Sequence, residues 1–167
     1  VPMREGLLLV HNTLVGLNLR EEIRIGAAGK IVSAFDIART LALGADWCNA
    51  ARGFMFALGC IQSMSCHTDR CPTGITTQDP KRWRALHVPD KAERVFRFHH
   101  NTLHALKEMI AAAGLEHPGQ LGPEHILRRV SSTKIKSLAT LYPQVKPGEL
   151  LNGPPGQAVF QRCWADA

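Results

Sequence analysis

The sequence predicts an α/β fold with parallel strands. The observations behind this prediction are a short alternating stretch at 22–28, a helix signal from Ser33 to Gly44, and an apolar stretch at 46–51 that Arg52-Gly53 separates from a short helix at 54–58. This order is typical of βα units whose strands lie parallel. Two such units cannot close a barrel or cover a sheet, so the chain is either a small α/β protein or the end of a larger barrel.

The amino-terminal elements follow from spacing and from capping chemistry. Apolar residues recur at helical intervals over 4–20, which predicts a first helix. Ile23 and Ile25 alternate with polar or small neighbours, which favours a strand, and Gly29-Lys30 is expected to turn the chain after it. Ser33 stands three residues before an aspartate, close to a capping box, and so predicts the start of the second helix.

The rest of the chain is expected to be mainly helical or extended. Residues 60–80 show no periodicity and predict a loop, whereas 91–113 give the clearest helix signal, with Gly114 as its stop. A shorter helix is expected from Pro123, because proline suits a first helical position. The proline-rich tail from Ser131 predicts extended or turn structure that wraps other parts of the molecule.

Composition excludes several classes of function. Apolar residues make up 45% and charged residues 20% of the chain, as in ordinary globular proteins. The net charge of +6 favours anionic ligands or partners, but the basic residues are scattered and the one tyrosine offers little stacking surface, so no nucleic-acid partner is expected. No apolar run approaches the roughly 18 residues of a membrane span, and no leader pattern is present, so we expect a cytoplasmic protein without a membrane partner.

Three of the five cysteines lie close together, as Cys60, Cys66 and Cys71. Thiolates are the ligands on which iron–sulfur clusters are built, and the spacing lets three of them surround one compact core. Structural zinc normally takes four ligands, and His67 is too close to its neighbouring cysteine to serve as the fourth. The spacing alone therefore leaves open a three-cysteine cluster, a zinc site, or three unrelated thiols that simply pack. The other two cysteines, Cys48 and Cys163, are expected to be structural or incidental.

The residues around these cysteines resemble the cluster loop of the glutamate synthase family. That loop has the form A-x-G-C-x5-C-H-x3-C-P-x-G-x-x-T-Q, and the stretch from Ala57 to Gln78 matches every fixed position. The resemblance is dense from about Val1 to Gln78, whereas Lys91–Gly114 is similar only in layout.

The resemblance implies a fold and two cofactors. The family's synthase domain is a TIM (β/α)8 barrel with FMN at the carboxyl ends of its strands. Residues 1–60 would supply the end of that barrel with strands seven and eight, 61–80 the iron–sulfur loop, and 81–167 a helical extension and tail. The loops after strands seven and eight commonly bind phosphate in such barrels. The resemblance implies that the FMN phosphate is bound by Gly29, Lys30, Ala51 and Arg52. It implies that a 3Fe-4S cluster is held by Cys60, Cys66 and Cys71. The family's usual Gly-Gly and Gly-Thr are Gly29-Lys30 and Ala51-Arg52 here, which adds two cations near the expected phosphate.

The family also implies an activity. Electrons would come from ferredoxin or a pyridine-nucleotide-dependent reductase subunit and pass through the cluster to FMN, for reductive amination of 2-oxoglutarate to glutamate. A glutaminase or amidotransferase subunit would be a further partner. The chain alone is expected to be inactive, because the oxoglutarate-binding residues of the family lie outside it. Two alternatives are an electron-transfer or interaction module that lacks amination activity or acts on a different amine, and a metal-free structural domain.

Overall fold

The computed structural model describes residues 1–153, 158, 160 and 161. Its centre is a pair of parallel strands, β1 (Gly26–Ala28) and β2 (Trp47–Asn49), with Ala27 aligned to Cys48. Helix α2 (Ala34–Ala42) connects the two strands, and helix α3 (Ala51–Leu58) follows the second. The predicted α/β fold with parallel strands is thereby confirmed. Each strand is shorter than predicted, because only three residues of each stretch form the ladder.

The helix before the sheet, α1 (Met3–Gly16), ends four residues earlier than predicted. The chain leaves the helix at Leu17, and Asn18 adopts a left-handed backbone conformation that no continuing helix permits. Leu7 and Leu8 of α1 are buried against Ala27 of β1 and form one end of the main core. Helix α1 therefore covers one side of the short sheet.

The capping chemistry predicted for α2 is present. The Ser33 side chain accepts a hydrogen bond from the Asp36 amide, and the Asp36 carboxylate accepts one from the Ser33 amide at 3.0 Å. Gly44 follows the helix with a left-handed φ of 106°. The side chains of Ser33 and Asp36 thus accept hydrogen bonds from backbone amides at the start of α2.

The short helix after β2 begins earlier than predicted. Helix α3 starts at Ala51, so Arg52-Gly53 lies in its first turn and does not separate the strand from the helix. Gly53 is buried, and a Cβ there would lie 2.7 Å from the Phe98 ring. Glycine is needed at this position because α3 packs closely against the long helix α5, not because the chain must turn.

A short helix, α4 (Pro80–Trp83), precedes helix α5 (Val88–Ala112). Helix α5 is the longest described element and starts three residues before the predicted Lys91. Pro89 occupies its first turn, where a missing amide costs nothing. Gly114 follows it with a left-handed φ of 74°, as its predicted role as a stop requires. Leu106 and Ile110 pack against Ala34 and Ala38 of α2, which fixes α5 beside the βα units.

The helix predicted from Pro123 is wrong. Residues 122–125 form a turn, with the His125 amide donating to the Gly122 carbonyl, and an antiparallel hairpin follows. Its strands are β3 (Leu127–Arg129) and β4 (Ile135–Ser137), and a short helix α6 (Leu138–Leu141) continues from the second. The serine- and threonine-rich turn at 131–133 closes the hairpin through bonds from the Thr133 and Lys134 amides to the Ser131 hydroxyl.

The tail packs against α1, as predicted for a wrapping segment, but the short helical segments Leu138–Leu141 and Glu149–Asn152 replace part of the extended or turn structure expected there. Asn12, which is 5% exposed, donates to the Pro143 carbonyl at 3.0 Å and accepts from the Val145 amide at 3.4 Å. Val145 and Leu150 are buried and pack with Leu9 and Leu17. The predicted features at Pro154, Pro155 and Cys163 lie outside the described residues.

The described residues contain two separate two-stranded sheets, β1–β2 and β3–β4, and these do not close into a barrel. The β1–β2 sheet is only partly covered, since Trp47 is 49% exposed. Within the described part of the chain, no helix combines the length and apolarity that a membrane crossing requires.

Candidate functional site

A cavity of about 420 Å³ opens where β1 and β2 end. The turn after β1 forms one wall, the start of α3 forms a second, and the beginning of the cysteine loop forms a third. The carboxyl ends of neighbouring parallel strands meet at one edge of a sheet, which is where such folds commonly bind ligands. Its lining residues are Ala28, Gly29, Lys30, Ile31, Asn49, Ala51, Arg52, Met55, Phe56, Cys60, Gln62, Met64 and Cys66.

The four residues predicted to contact a phosphate all line this cavity. Gly29 and Lys30 form the turn after β1, and Ala51 and Arg52 form the first residues of α3. A Cβ on Gly29 would lie 3.0 Å from the Met3 side chain, so this wall is closely packed from behind. The sequence prediction thus identified residues that the fold brings together.

The cavity carries positive charge that the described residues leave unpaired. The side chains of Lys30 and Arg52 are exposed, and neither forms a hydrogen bond or ion pair with another described side chain or carbonyl. Helix α3 has Ala50 at its N-cap, so no side chain accepts from its first amides. At α2, by contrast, Ser33 and Asp36 already satisfy the helix start. The open helix start, with its partial positive charge and two cations beside it, suits an anionic group.

The rest of the α3 wall and the floor of the cavity are apolar. Met55 and Phe56 stand three and four residues after Arg52 on α3, so they share a face of that helix and extend the cavity lining away from the charged end. Ile31, which is 2% exposed, closes the floor. The sequence prediction missed these residues, although the helical spacing from Arg52 could have indicated them.

Two of the three clustered cysteines lie at the rim of the cavity. Cys60 follows α3 and is half-buried, and Cys66 begins a single helical turn, Cys66–Thr68, and is exposed. Cys71 does not line the cavity and is buried. Among the described residues, no three side chains of His, Cys, Asp or Glu are assembled into a metal site. The structure therefore brings Cys60 and Cys66 to the cavity but does not arrange all three thiols around one point.

Cys71 has an environment that favours a thiolate. Its Sγ lies 3.4 Å from the Thr73 hydroxyl. This hydroxyl and the Thr76 amide lower the pKa of the Cys71 thiol to about 6, although burial acts in the opposite direction. Burial instead raises the pKa of the Cys48 thiol, against an opposing bond from Thr40. Of these two thiols, the one in the loop is prepared to act as an anionic ligand.

The donor set fits an iron–sulfur cluster chemically. The three thiols come from one loop, and the Thr76 hydroxyl beside Cys71 is a buried polar atom without a hydrogen-bond partner among the described residues. A metal-bound sulfur is a better acceptor than a neutral thiol, so a ligated Cys71 would satisfy that hydroxyl. Cys60, Cys66 and Cys71 are thus suitable ligands in kind, although the structure does not preassemble them.

A larger cavity, of about 570 Å³, lies at the other ends of the strands. Its charged groups already bond to one another: Arg20 contacts Asp46 at 2.8 Å and His11 at 3.2 Å. These contacts join α1 to the segments before β1 and β2, so the polar groups here stabilise the fold. The smaller cavity, with its unpaired cations and cysteines, is the candidate site.

Comparison with known protein families identifies one match. The family model described as the conserved region in glutamate synthase matches residues 1–116. The glutamate synthase large subunit-like protein YerD of Bacillus subtilis is 38% identical over 144 residues, which cover 86% of this chain and 27% of that protein. The archaeal glutamate synthase [NADPH] of Methanocaldococcus jannaschii is 35% identical over 115 residues, or 69% of this chain and 22% of that protein.

A third relative, the ferredoxin-dependent glutamate synthase of Cyanidium caldarium, is 37% identical over 99 residues, or 59% of this chain and 6% of that protein. The chain spans 27% or less of the length of each of these relatives.

Proposed function

The chain belongs to the glutamate synthase family, and we propose that it forms the FMN-phosphate and iron–sulfur part of a glutamate-synthase-type oxidoreductase. In this proposal residues 1–60 are the end of an FMN-binding (β/α)8 barrel, 61–80 form the iron–sulfur loop that holds a 3Fe-4S cluster together with Cys60, and 81–167 form a helical extension and tail. The single observation that carries the proposal is the cavity in which Lys30, Arg52, Cys60 and Cys66 meet at the carboxyl ends of two parallel strands.

The charged end of the cavity would bind the FMN phosphate. The amides at the start of α3 would donate to phosphate oxygens, since no N-cap side chain competes for them. Lys30 and Arg52 would neutralise the dianion from the two sides of the cavity, and the turn at Gly29 would let the phosphate approach the backbone. Ile31, Met55 and Phe56 would exclude water from the less polar part of the cofactor.

The cysteine loop would hold the cluster through Cys60, Cys66 and Cys71. When bound, the cluster supplies single-electron transfer and FMN supplies hydride transfer, here to the product of 2-oxoglutarate and ammonia. The protein's part is to keep the two redox groups adjacent, and Cys60 and Cys66 already share a cavity with the proposed phosphate contacts. The protein is accordingly proposed to work in the cytoplasm, where thiols stay reduced.

The electron donor is proposed to be ferredoxin or a reductase subunit that uses a pyridine nucleotide. Relatives of both kinds exist by name, some ferredoxin-dependent and others with NADPH or NADH in their names. A glutaminase or amidotransferase subunit remains part of the proposal as the nitrogen source. The isolated chain is proposed to be inactive, and glutamate formation by the purified chain without partners would contradict that statement.

Anaerobic purification followed by visible and EPR spectroscopy tests the proposal. We expect an oxidised three-iron signal with matching iron and sulfide contents, and its loss in C60S, C66S and C71S. C48S is the matched control, because Cys48 is a half-buried thiol outside the loop. A protein that contains zinc, or that is colourless with freely titrating thiols, would overturn the proposal.

A further inference from the structure

Two threonine hydroxyls lie beside the Cys71 sulfur. The Thr73 hydroxyl is 3.4 Å from Sγ, within the distance of a hydrogen bond to sulfur. In a neutral thiol either atom is able to donate, but a sulfur bound to iron carries no proton. The Thr73 hydroxyl must then be the donor, and it has no other hydrogen-bond partner among the described residues.

The second hydroxyl belongs to Thr76 and is an exception to the usual pairing of buried polar groups. Its Oγ1 is buried and makes no contact with the full geometry of a hydrogen bond within the described part of the chain, although it is near enough to the Cys71 sulfur to help lower the pKa of that thiol. A buried hydroxyl without a partner is destabilising, because it loses its hydrogen bonds to water and gains none in return. An unpaired hydroxyl is expected beside a sulfur that becomes a stronger hydrogen-bond acceptor when it binds a metal.

The surrounding loop holds both threonines in place. Cys71 to Gly74 form a tight turn, closed by the Gly74 amide donating to the Cys71 carbonyl at 3.3 Å. Downstream, the Asp69 carboxylate accepts from the Gln78 amide and the Asp69 carbonyl accepts from the Thr77 hydroxyl, each at 2.6 Å. The segment that carries Thr73 and Thr76 is therefore fixed at both ends by bonds that do not involve a metal.

We propose that Thr73 and Thr76 are positioning residues that donate hydrogen bonds to the Cys71 sulfur and raise the reduction potential of the cluster it binds. The inference rests on the proposed function, because it needs the cluster to be present. One-electron reduction of a bound cluster would add negative charge, part of it on the sulfurs of the cysteine ligands. Hydrogen-bond donors at a sulfur stabilise that charge and so favour the reduced state.

An EPR-monitored redox titration of the anaerobically purified protein tests this inference. T73V and T76V remove one hydroxyl each with little change of shape, T73S restores a hydroxyl, and T68V is the matched control. Thr68 lies in the same loop, but its hydroxyl donates to the Ser65 carbonyl at 2.8 Å. We expect T73V and T76V to lower the midpoint potential at unchanged iron content, while T73S and T68V keep that of the wild type.

The possible outcomes separate the two proposals. A wild-type protein that contains no three-iron cluster would contradict the proposed function itself. A full cluster whose potential is the same in wild type, T73V and T76V leaves the proposed function standing and overturns the role of the threonines. If T73V fails to retain iron, the T76V titration decides: a lowered potential at full iron content supports the inference, and an unchanged potential overturns it.

Discussion

Left-handed backbone at residues other than glycine is concentrated around the candidate site. Lys30, Gln62 and Met64 line the cavity and have φ values of 55°, 56° and 60°, and Asp69 in the same loop has 60°. Outside this region, only Asn18 shares the feature among the described residues. A left-handed backbone conformation at a residue other than glycine is unfavourable, and it occurs where the surrounding packing and hydrogen bonds compensate for it. Four of the five such residues among the described ones therefore lie in the turns and loop that form the candidate site.

Gly74 is the residue on which the Cys71 turn depends most. Its φ is 80°, and a Cβ would overlap the carbonyl oxygen of Arg82 in α4 (Pro80–Trp83). We expect G74A to lower the free energy of unfolding by more than the ~1–2 kcal/mol of left-handed strain alone, because α4 must also move. Urea denaturation measures the change.

G114A is the matched control for this substitution. Gly114 has a similar φ of 74°, but nothing lies within 4 Å of the position where a Cβ would be. Its cost should be limited to the ~1–2 kcal/mol of backbone strain. Equal losses in the two variants would show that contact with α4 does not constrain the turn.

Arg52 is the side chain whose role in the site is simplest to isolate. R52Q removes one unpaired cation from the cavity, and a charge-assisted hydrogen bond to phosphate is worth about 1.5–3 kcal/mol. We expect R52Q to weaken FMN binding by about 10- to 100-fold and to leave riboflavin binding, which involves no phosphate, nearly unchanged. Flavin fluorescence titration measures both affinities.

The control for R52Q removes the same charge elsewhere. Arg94 is exposed on α5 and does not line the cavity, so R94Q should bind FMN like the wild type. If R52Q weakened FMN and riboflavin equally, Arg52 would contact the ring system or shape the cavity, and the phosphate assignment would be wrong.

At the scale of elements, contact between α1 and the tail depends on one buried amide. Asn12 bonds both the Pro143 carbonyl and the Val145 amide, and Leu150 packs so closely on Gly16 that a Cβ there would overlap it. N12A leaves two backbone groups without their partner, so we expect a loss of about 2 kcal/mol and faster amide hydrogen exchange at 143–153.

An exposed asparagine provides the comparison for N12A. Asn101 lies on the surface of α5, and N101A should change stability by less than about 0.5 kcal/mol. Unchanged exchange at 143–153 in N12A would mean that the apolar contacts of Val145 and Leu150 hold the tail without the amide.

The elements differ in how far the sequence predicts them. The start of α2 was predictable because its capping box joins Ser33 and Asp36, which are only three residues apart in sequence. The prediction of a helix from Pro123 was wrong because proline suits a turn as well as a first helical position. Local periodicity also gives no information about the pairing of β3 with β4. Gly53 was misread for a related reason, since its need for glycine comes from Phe98, 45 positions away in sequence.

The residues of the site likewise differ in whether the sequence alone could predict them. Gly29, Lys30, Ala51 and Arg52 were predictable because residues after parallel strands meet at one edge of a sheet. Cys60, Cys66 and Cys71 were identified as a group by motif, but spacing does not determine how a loop folds, and Cys71 lies away from the cavity. The Thr73 and Thr76 contacts depend on the turn at Gly74 and required the structure.

At the scale of the whole molecule, one polar network joins the segments that precede the two strands to α1. Asp46 accepts from the Ile25 amide and from Arg20, and Arg20 also donates to His11. Burial and the Arg20 charge lower the pKa of His11, against opposing effects of Asp46 and the Gly44 backbone. Burial raises the pKa of Asp46, but bonds from Ile25 and Arg20 outweigh it, so that pKa is also lowered.

Both shifts make the fold sensitive to acid. An unfolded histidine binds a proton near its ordinary pKa of about 6.5, whereas folded His11 resists protonation until a lower pH. Its contribution to stability is therefore complete above about pH 6.5 and is lost as the pH falls through the folded pKa. Asp46 contributes in the same direction at lower pH, above its unfolded pKa of about 4.

Replacement of His11 separates its contribution from that of the carboxylates. H11Q keeps an oxygen able to accept from Arg20 but does not titrate, so we expect its stability to fall less than that of the wild type between pH 7 and pH 5. Urea denaturation at a series of pH values measures the difference, with H104Q as the control because His104 is exposed on α5. Parallel pH profiles for wild type and H11Q would show that protonation of His11 does not destabilise the fold and that carboxylates with lowered pKa values, such as Asp36 and Asp46, set the acid sensitivity.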